Sequence, residues 1–266
     1  MLLTALANGM TIKPDFQPQN NKQAYLAYLN GLDIELPEPR TNEEVLLYNL
    51  CMNGMGGCDI VFTGTDGAYL FAGNARMDKM DKIFSMCDGI TSLYYMFYGV
   101  DGKFAVDLSK LDTSKVTTTK MMFAASDVTK VDFSKNDFSA CTEFESMFQT
   151  CRYLEEIIGF SAPYGNLTYP VGFPKGSSST RYALKRLTFR TDIPCAICSP
   201  IDVRYNSFDR EGVVEMFNTL PDITGLGLPD YKGCVYLAGN PCITDGTLTD
   251  EDRAIATGKG WTLAEV

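Results

Sequence analysis

The fold is decided by three consecutive segments that share one pattern: ITSLYYMFYGVDGKFAVDLSKLDTS (90–114), KVTTTKMMFAASDVTKVDFSKNDFS (115–139) and ACTEFESMFQTCRYLEEIIGFSA (140–162). Aligned at offsets of about 25 residues, they match in eight columns. The clearest columns are a methionine and the phenylalanine that follows it: Met96–Phe97, Met122–Phe123 and Met147–Phe148. Chance recurrence does not explain a joint match of this kind, so the three segments are repeats of one structural unit.

Each unit combines a short helical turn with a strand. The first block spaces its apolar residues by three, three and one, which places them on one face of an α or 3-10 turn. In the second block apolar and polar residues alternate, as in a half-buried strand; the apolar positions are Val106, Leu108, Val131 and Phe133. One such unit cannot bury both apolar faces, so successive units must stack. The predicted fold class is therefore an α+β repeat solenoid.

Two motifs within the units resemble those of a known family. The stretch from Asp112 to Phe123 (DTSKVTTTKMMF) and the stretch from Met147 to Ile157 (MFQTCRYLEEI) are similar to the repeat pattern of BspA-like leucine-rich repeat proteins. The resemblance extends over about residues 83–192 and implies a leucine-rich-repeat solenoid. Gly159 stands where the family pattern places a strand leucine, so we expect a kink or bulge in the third unit.

The sequence divides into three parts. Residues 58–200 form the predicted solenoid; a β-rich stretch (DIVFTG, 59–64) opens it and a loop rich in Gly, Pro and Ser (164–180) interrupts it. Residues 201–266 form predicted C-terminal capping repeats. In this part, Asp209 begins one helix, and Thr249 and Asp252 frame a second that ends at Gly258. A strand is predicted between the two helices, at 235–237, and another after the second, at 261–263.

Residues 1–57 are predicted to be a helical attachment arm. Two capped helices end at Gly31 and Gly54, and a linker with two prolines separates them. Their apolar faces are too small to bury each other, so we expect them to form an assembly interface with copies of the chain or with a neighbouring protein. The residues of this interface are Tyr25, Leu26, Leu29, Leu46, Leu47 and Leu50. The alternative is that the arm folds back on its own repeats.

Composition excludes several classes of function. The chain has no His, which removes the usual catalytic base and the commonest metal ligand. A net charge of -10 without a basic cluster disfavours nucleic acid, and no apolar run is long enough for a membrane span. Because the opening residues lack the features of a secretory signal, we expect synthesis in the cytoplasm.

Neither the cysteines nor the acidic residues form a convincing metal site. Cys195 and Cys198 are the only CxxC pair, and prolines bracket them, so unbridged thiols are favoured over a zinc site that recruits Cys234 and Cys242. The acidic cluster of Asp245, Asp250, Glu251 and Asp252 lacks the ligand spacing of a calcium-binding loop, and Asp250 to Asp252 are explained by the preference of acidic residues for a helix start. We therefore expect no metal, no cofactor and no catalytic residue.

The outward positions of the strands are the candidate ligand surface. Asp107 and Asp132 fall in one column and would lie about 4.8 Å apart on neighbouring parallel strands. The predicted ligand-binding residues are Asp107, Ser109, Asp132, Ser134, Thr188 and Arg190. Carboxylates, hydroxyls and a guanidinium on a rigid face suit glycans or protein loops. The alternative is a solvated charged face, since Lys110, Lys130 and Lys135 offset the carboxylates.

These observations favour a non-enzymatic binding protein. The N-terminal arm and the C-terminal segment resemble parts of phage or prophage proteins, which implies a tail or baseplate component that contacts the host surface. Its expected location is the virion, and its expected partners are other tail proteins, copies of itself and a host protein or glycan. The alternative is a bacterial surface or secreted adhesin of the same repeat family, located at the cell surface.

Overall fold

The computed structural model describes residues 89–109, 111–162, 171–192, 200–227 and 233–266, and the backbone alone of residues 10–12, 60–62 and 107. Strand β1 (Met10–Ile12) pairs antiparallel with β2 (Ile60–Phe62), which confirms a strand in the stretch 59–64. The two predicted arm helices lie outside the described residues. So do the predicted interface residues Tyr25, Leu26, Leu29, Leu46, Leu47 and Leu50.

Four parallel strands form the main sheet in chain order: β3 (Phe104–Asp107), β4 (Val128–Asp132), β5 (Glu156–Phe160) and β6 (Arg186–Phe189). The first three strands come one from each of the repeats 90–114, 115–139 and 140–162. Val106 lies opposite Val131, and Val131 lies opposite Ile157. Residues one repeat apart in the sequence are therefore neighbours in the sheet.

The first block of each unit, which holds the methionine and phenylalanine columns, is a series of turns. The prediction of an α or 3-10 turn there was wrong. The backbone is left-handed at Tyr95, Met121 and Ser146, with φ of 56, 53 and 55°, which interrupts any right-handed helix. Amide groups alternate between partners: the Met122 N–H donates to the Thr119 carbonyl of its own unit, whereas the Phe123 N–H donates to the Met147 carbonyl of the next. Stacking thus satisfies backbone groups that a helix would satisfy internally.

The methionine and phenylalanine columns form the core, as predicted. Met96, Met122 and Met147 are fully buried. The Phe123 ring is parallel to that of Phe97, with ring centroids 5.1 Å apart and planes inclined by 3°. It is also parallel to Phe148, at 5.8 Å and 1°. Phe173 extends the stack at 6.1 Å from Phe148.

The inward strand residues are also confirmed as buried. They are Val106, Leu108, Val131 and Phe133. The Phe133 ring packs edge-on against the stacked rings of Phe123 and Phe148, at centroid distances of 6.5 and 6.1 Å. The strand column and the turn column therefore share one core.

The expected irregularity in the third unit is a β-bulge at Gly159. The register between β5 and β6 shifts between Ile157 and Phe160. Gly159 has φ of +63°, and a Cβ there would lie 2.8 Å from the Ser134 Cα, so only glycine fits without displacement. The Gly159 N–H donates to the Thr188 hydroxyl at 3.0 Å.

Buried asparagines connect the irregular segments between strands. The Asn206 amide donates to the Pro174 carbonyl one turn earlier and to the Val203 carbonyl of its own turn. Asn240 repeats the arrangement, donating to the carbonyls of Val203 and Leu237. Each asparagine satisfies loop carbonyls that packing has removed from water, so the stacking continues between the strands as well as within them.

The C-terminal part contains a second parallel sheet and three helices: β7 (Ile201–Asp202), α1 (Arg210–Thr219), β8 (Cys234–Tyr236), α2 (Pro241–Thr244), α3 (Asp250–Thr257) and β9 (Thr262–Ala264). The predicted residues at the starts of the first and third of these helices are confirmed. The Asp209 carboxylate accepts from the Gly212 N–H at the start of α1, and Thr249 and Asp252 form a reciprocal capping box on α3. The last strand begins one residue later than predicted. One hydrophobic cluster extends from Ile90 to Trp261.

Candidate functional site

On the predicted ligand surface of the strands, most of the described side chains already form hydrogen bonds with neighbouring residues of the chain. Asp107 lies opposite Asp132 in parallel register, as expected. The Asp132 carboxylate accepts from the Ser134 hydroxyl at 2.6 Å and from the Ser134 N–H at 2.9 Å, which closes a local turn. The repeated Asp-x-Ser pattern is therefore explained at this position by turn formation. Ser109, its counterpart one unit earlier, is exposed.

The expectation that Thr188 faces outward was wrong. Alternation along β6 predicted exposure, but only 8% of the residue is exposed and its hydroxyl accepts the Gly159 N–H. Arg190 is also committed to local structure. Its guanidinium forms two hydrogen bonds with Asp192, at 2.9 and 2.6 Å, and a third with the Asn136 carbonyl at 2.7 Å. The Asp192 carboxylate raises the pKa of Arg190 above its ordinary value.

Ion pairs occupy further positions on the outward face of the sheet and beside it. Lys130 contacts Glu156 one strand away at 2.6 Å. Lys185 contacts Glu155 at 2.5 Å. The hydrogen bond to Glu156 raises the pKa of Lys130, so the lysine is charged at neutral pH. These ion pairs agree with the alternative interpretation of the strand positions, a solvated charged face.

A cavity of about 370 Å³ lies on the turn side of the array, between the third repeat and the residues that follow it. Its size falls within the range of about 300–1,000 Å³ that is typical of small-molecule sites. The described residues that line it are Ser146, Gln149, Thr150, Gly172, Phe173, Lys175, Pro200 and Asp202. We call this site the turn cavity.

Backbone conformation shapes the turn cavity. Ser146 and Thr150 both lie in the left-handed region, with φ of 55 and 61°. Gly172 stacks directly on Ser146 with φ of +70°, and a Cβ on Gly172 would lie 2.7 Å from the Ser146 Cα. This close approach of two backbones continues the turn column past the third repeat and fixes one side of the cavity.

An ion network fixes the charged side of the turn cavity. The Asp202 carboxylate contacts the Lys175 ammonium at 2.9 Å and forms two 2.9 Å hydrogen bonds with the Arg204 guanidinium. Burial opposes ionisation of Asp202, but the hydrogen bonds from Arg204 and Lys175 outweigh it and lower the pKa of the carboxyl. Arg204 also lies over the Tyr236 ring at 5.2 Å. Both cations are thus committed to one carboxylate.

Uncharged polar groups line the opposite side. Among the residues that the structure describes, no hydrogen-bond partner is found for the Gln149 amide or the Ser146 hydroxyl. The Thr150 hydroxyl donates to the Gln149 carbonyl at 2.7 Å and retains lone pairs to accept. Pro200, which is partly exposed, contributes apolar surface, and the largely buried Phe173 ring forms the apolar base. The cavity therefore combines free donors and acceptors with an apolar wall.

The described cysteines are buried free thiols: Cys141, Cys151, Cys234 and Cys242. Burial raises the pKa of Cys151 to about 12 and that of Cys141 and Cys242 to about 11. The Cys151 thiol donates to the Phe123 carbonyl at 3.0 Å. Cys195 and Cys198 lie outside the described residues. Within the described ranges, no three potential ligands among His, Cys, Asp and Glu are grouped to hold a metal ion.

The acidic residues near α3 have local partners. Asp252 pairs with Arg210 at 2.7 Å and caps α3, and these hydrogen bonds lower its pKa to about 2. The Asp245 carboxylate accepts from Thr247 within its own turn. The Asp252 contacts match the capping interpretation of residues 250–252, whereas Asp245 closes a turn of its own. No helix in the described part of the chain is long and apolar enough to span a bilayer.

Comparison with known proteins yields one family match. Residues 68–161 match the model of a family described as "Mycoplasma protein of unknown function, DUF285". That family is related to BspA-like surface repeat proteins. The match covers about a third of the chain and includes nearly all of the three repeats, in agreement with the resemblance of the motifs. No curated protein and no solved structure matches the chain.

Proposed function

We propose that this chain is a non-enzymatic binding protein in which a leucine-rich-repeat-type solenoid presents a rigid surface to its ligand. The observation that carries the proposal is the turn cavity, where backbone stacking holds hydrogen-bonding groups that are not used internally. Rigid presentation lowers the entropic cost of binding, because the side chains project from a stacked backbone that is already ordered.

The state of the potential reactive groups supports binding over catalysis. Cys141, Cys151 and Cys242 have raised pKa values, so they are protonated thiols at neutral pH and poor nucleophiles. The Asp202 carboxylate at the turn cavity is neutralised by two cations, which lowers its basicity. A general base needs a pKa near the working pH, and the pKa of this carboxyl is shifted the other way.

Two biological settings are consistent with this binding role. The first is a phage tail or baseplate, where residues 1–57 would attach the chain to tail proteins or to copies of itself and the repeats would contact the host surface. The second is an adhesin at a bacterial surface; the relation of the matched family to surface repeat proteins favours this candidate. In both settings the repeats contribute the binding surface.

A binding experiment and a localisation experiment test this proposal. The full chain, immobilised, is exposed to printed arrays of glycans and of extracellular matrix and serum proteins. Saturable binding to either array is expected, whereas the absence of binding to both would contradict the proposal. Immunogold labelling of phage particles and of whole cells from the source culture separates the settings: label on tails supports the first, and label on cell surfaces supports the second.

A further inference from the structure

We infer that the turn cavity binds an uncharged saccharide. The inference rests on the proposed binding function and adds the chemical class of the ligand. Sugar rings present several hydroxyls, each of which both donates and accepts, together with apolar faces formed by C–H groups. A matching site needs neutral side chains of mixed hydrogen-bonding character beside an apolar surface.

The uncharged side of the cavity provides that hydrogen-bonding character. The Gln149 amide offers two donors and one acceptor, and the Ser146 hydroxyl offers one donor and two lone pairs. Ser146 is left-handed and in backbone contact with Gly172, and the Gln149 N–H donates to the Ser146 carbonyl at 3.1 Å. Their backbone positions are therefore fixed before a ligand arrives, which reduces the entropy that binding must overcome.

The charge distribution disfavours an ionic ligand. Lys175 and Asp202 neutralise each other across 2.9 Å, and Arg204 is bound to the same carboxylate. An acidic sugar would have to compete with Asp202 for these cations, and it would approach a chain of net charge -10. A basic ligand would have to displace two cations from Asp202. A neutral ligand disturbs neither contact.

The apolar wall provides the second half of the match. Pro200 lines the cavity and is partly exposed, whereas Phe173, only 4% exposed, forms its base beside the phenylalanine stack; neither offers a side-chain hydrogen bond. Carbohydrate C–H faces pack on surfaces of this kind, while their hydroxyls reach the polar side. A peptide that bound as an added strand would need unpaired backbone groups, and the backbone amide of Met147, next to Ser146, is already bonded to the carbonyls of Phe144 and Val171.

The test measures binding of the full chain to a printed array of neutral and acidic glycans, followed by calorimetric titration with the best glycan on the array. We expect saturable binding to neutral glycans and affinity about tenfold weaker in Gln149→Ala and in Ser146→Ala. Thr142→Ala is the matched control, because Thr142 is exposed in the same repeat and outside the cavity, and its affinity should equal that of the unsubstituted chain. Circular dichroism confirms that the variants are folded.

The outcomes separate this inference from the proposed function. Binding to the protein array but to no glycan overturns the saccharide inference and leaves the binding function intact. Binding only to acidic glycans, or glycan binding that both cavity substitutions leave unchanged, also overturns the inference. The absence of binding to both arrays overturns the inference together with the proposed function.

Discussion

Phe123 is the residue whose truncation most directly perturbs stacking. Its ring lies between those of Phe97 and Phe148, parallel to both, and it is fully buried. Replacement by alanine leaves a cavity bordered by both neighbouring units, which costs about 3–5 kcal/mol in the free energy of unfolding. Part of this cost is the loss of two ring contacts, each worth about 0.5–1.5 kcal/mol beyond burial.

A double-mutant cycle isolates those ring contacts. Leucine substitutions at Phe97 and Phe123, alone and combined, should give a coupling of about 0.5–1.5 kcal/mol in urea denaturation followed by circular dichroism. The same cycle on Phe97 and Phe148 is the control, because Phe123 separates these rings and their coupling should be close to zero. A cost below about 1 kcal/mol for Phe123→Ala, or equal coupling in the two cycles, would refute the reasoning.

Three further predictions address backbone strain, pH and thiol reactivity. Ala125→Gly should stabilise the chain by up to about 1 kcal/mol in urea denaturation, because Ala125 is exposed and has a positive φ of 59°. The control Ala124→Gly, at a buried position without positive φ, should destabilise the chain, and a loss of stability in both variants would count against the left-handed turn. Asp252→Asn should lower the free energy of unfolding at neutral pH, and the difference from the unsubstituted chain should shrink as pH falls from about 4 toward 2. The reason is that the pKa of Asp252 is depressed in the folded state to about 2 from an ordinary value of 3.8. A difference that is independent of pH would show that the carboxylate charge contributes nothing. Iodoacetamide should leave Cys151 unmodified in the native chain and alkylate it after denaturation, as read by mass spectrometry, since its thiol is fully buried with a pKa of about 12; rapid native alkylation would contradict that burial.

The strands and the core were predictable because their signals are local and repeated. The alternation of apolar and polar residues predicted that Val131 and Phe133 are buried, and the 25-residue offset predicted which residues lie opposite each other on neighbouring strands. The capping box at Thr249 was equally local. The left-handed turns were not predictable, because Met121 and Ser146 are not residues that favour this conformation by themselves. Contact with the next unit supports it instead: the Met121 N–H, for example, donates to the Glu145 carbonyl.

The candidate site was harder to predict than the fold. Thr188 occupies an outward position by alternation, but the bulge at Gly159 changes the register and brings the Gly159 N–H to its hydroxyl. The turn cavity is assembled from segments near residues 146, 172 and 202, and the aperiodic loop 164–180 overlaps the second of them. No repeated column marks such a site. Gly172 was its only available sequence signal, because a glycine in a turn indicates close backbone approach.

Side-chain NMR of the phenylalanine column tests most directly the claim that repeats 25 residues apart stack in parallel register. With phenylalanine rings selectively labelled and assigned by substitution, nuclear Overhauser contacts are expected between Phe97 and Phe123 and between Phe123 and Phe148, whose centroids lie 5.1 and 5.8 Å apart. No contact is expected between Phe97 and Phe148, because the Phe123 ring lies between them. Contacts between Phe97 and Phe148, or the absence of both neighbouring contacts, would contradict the stacked array.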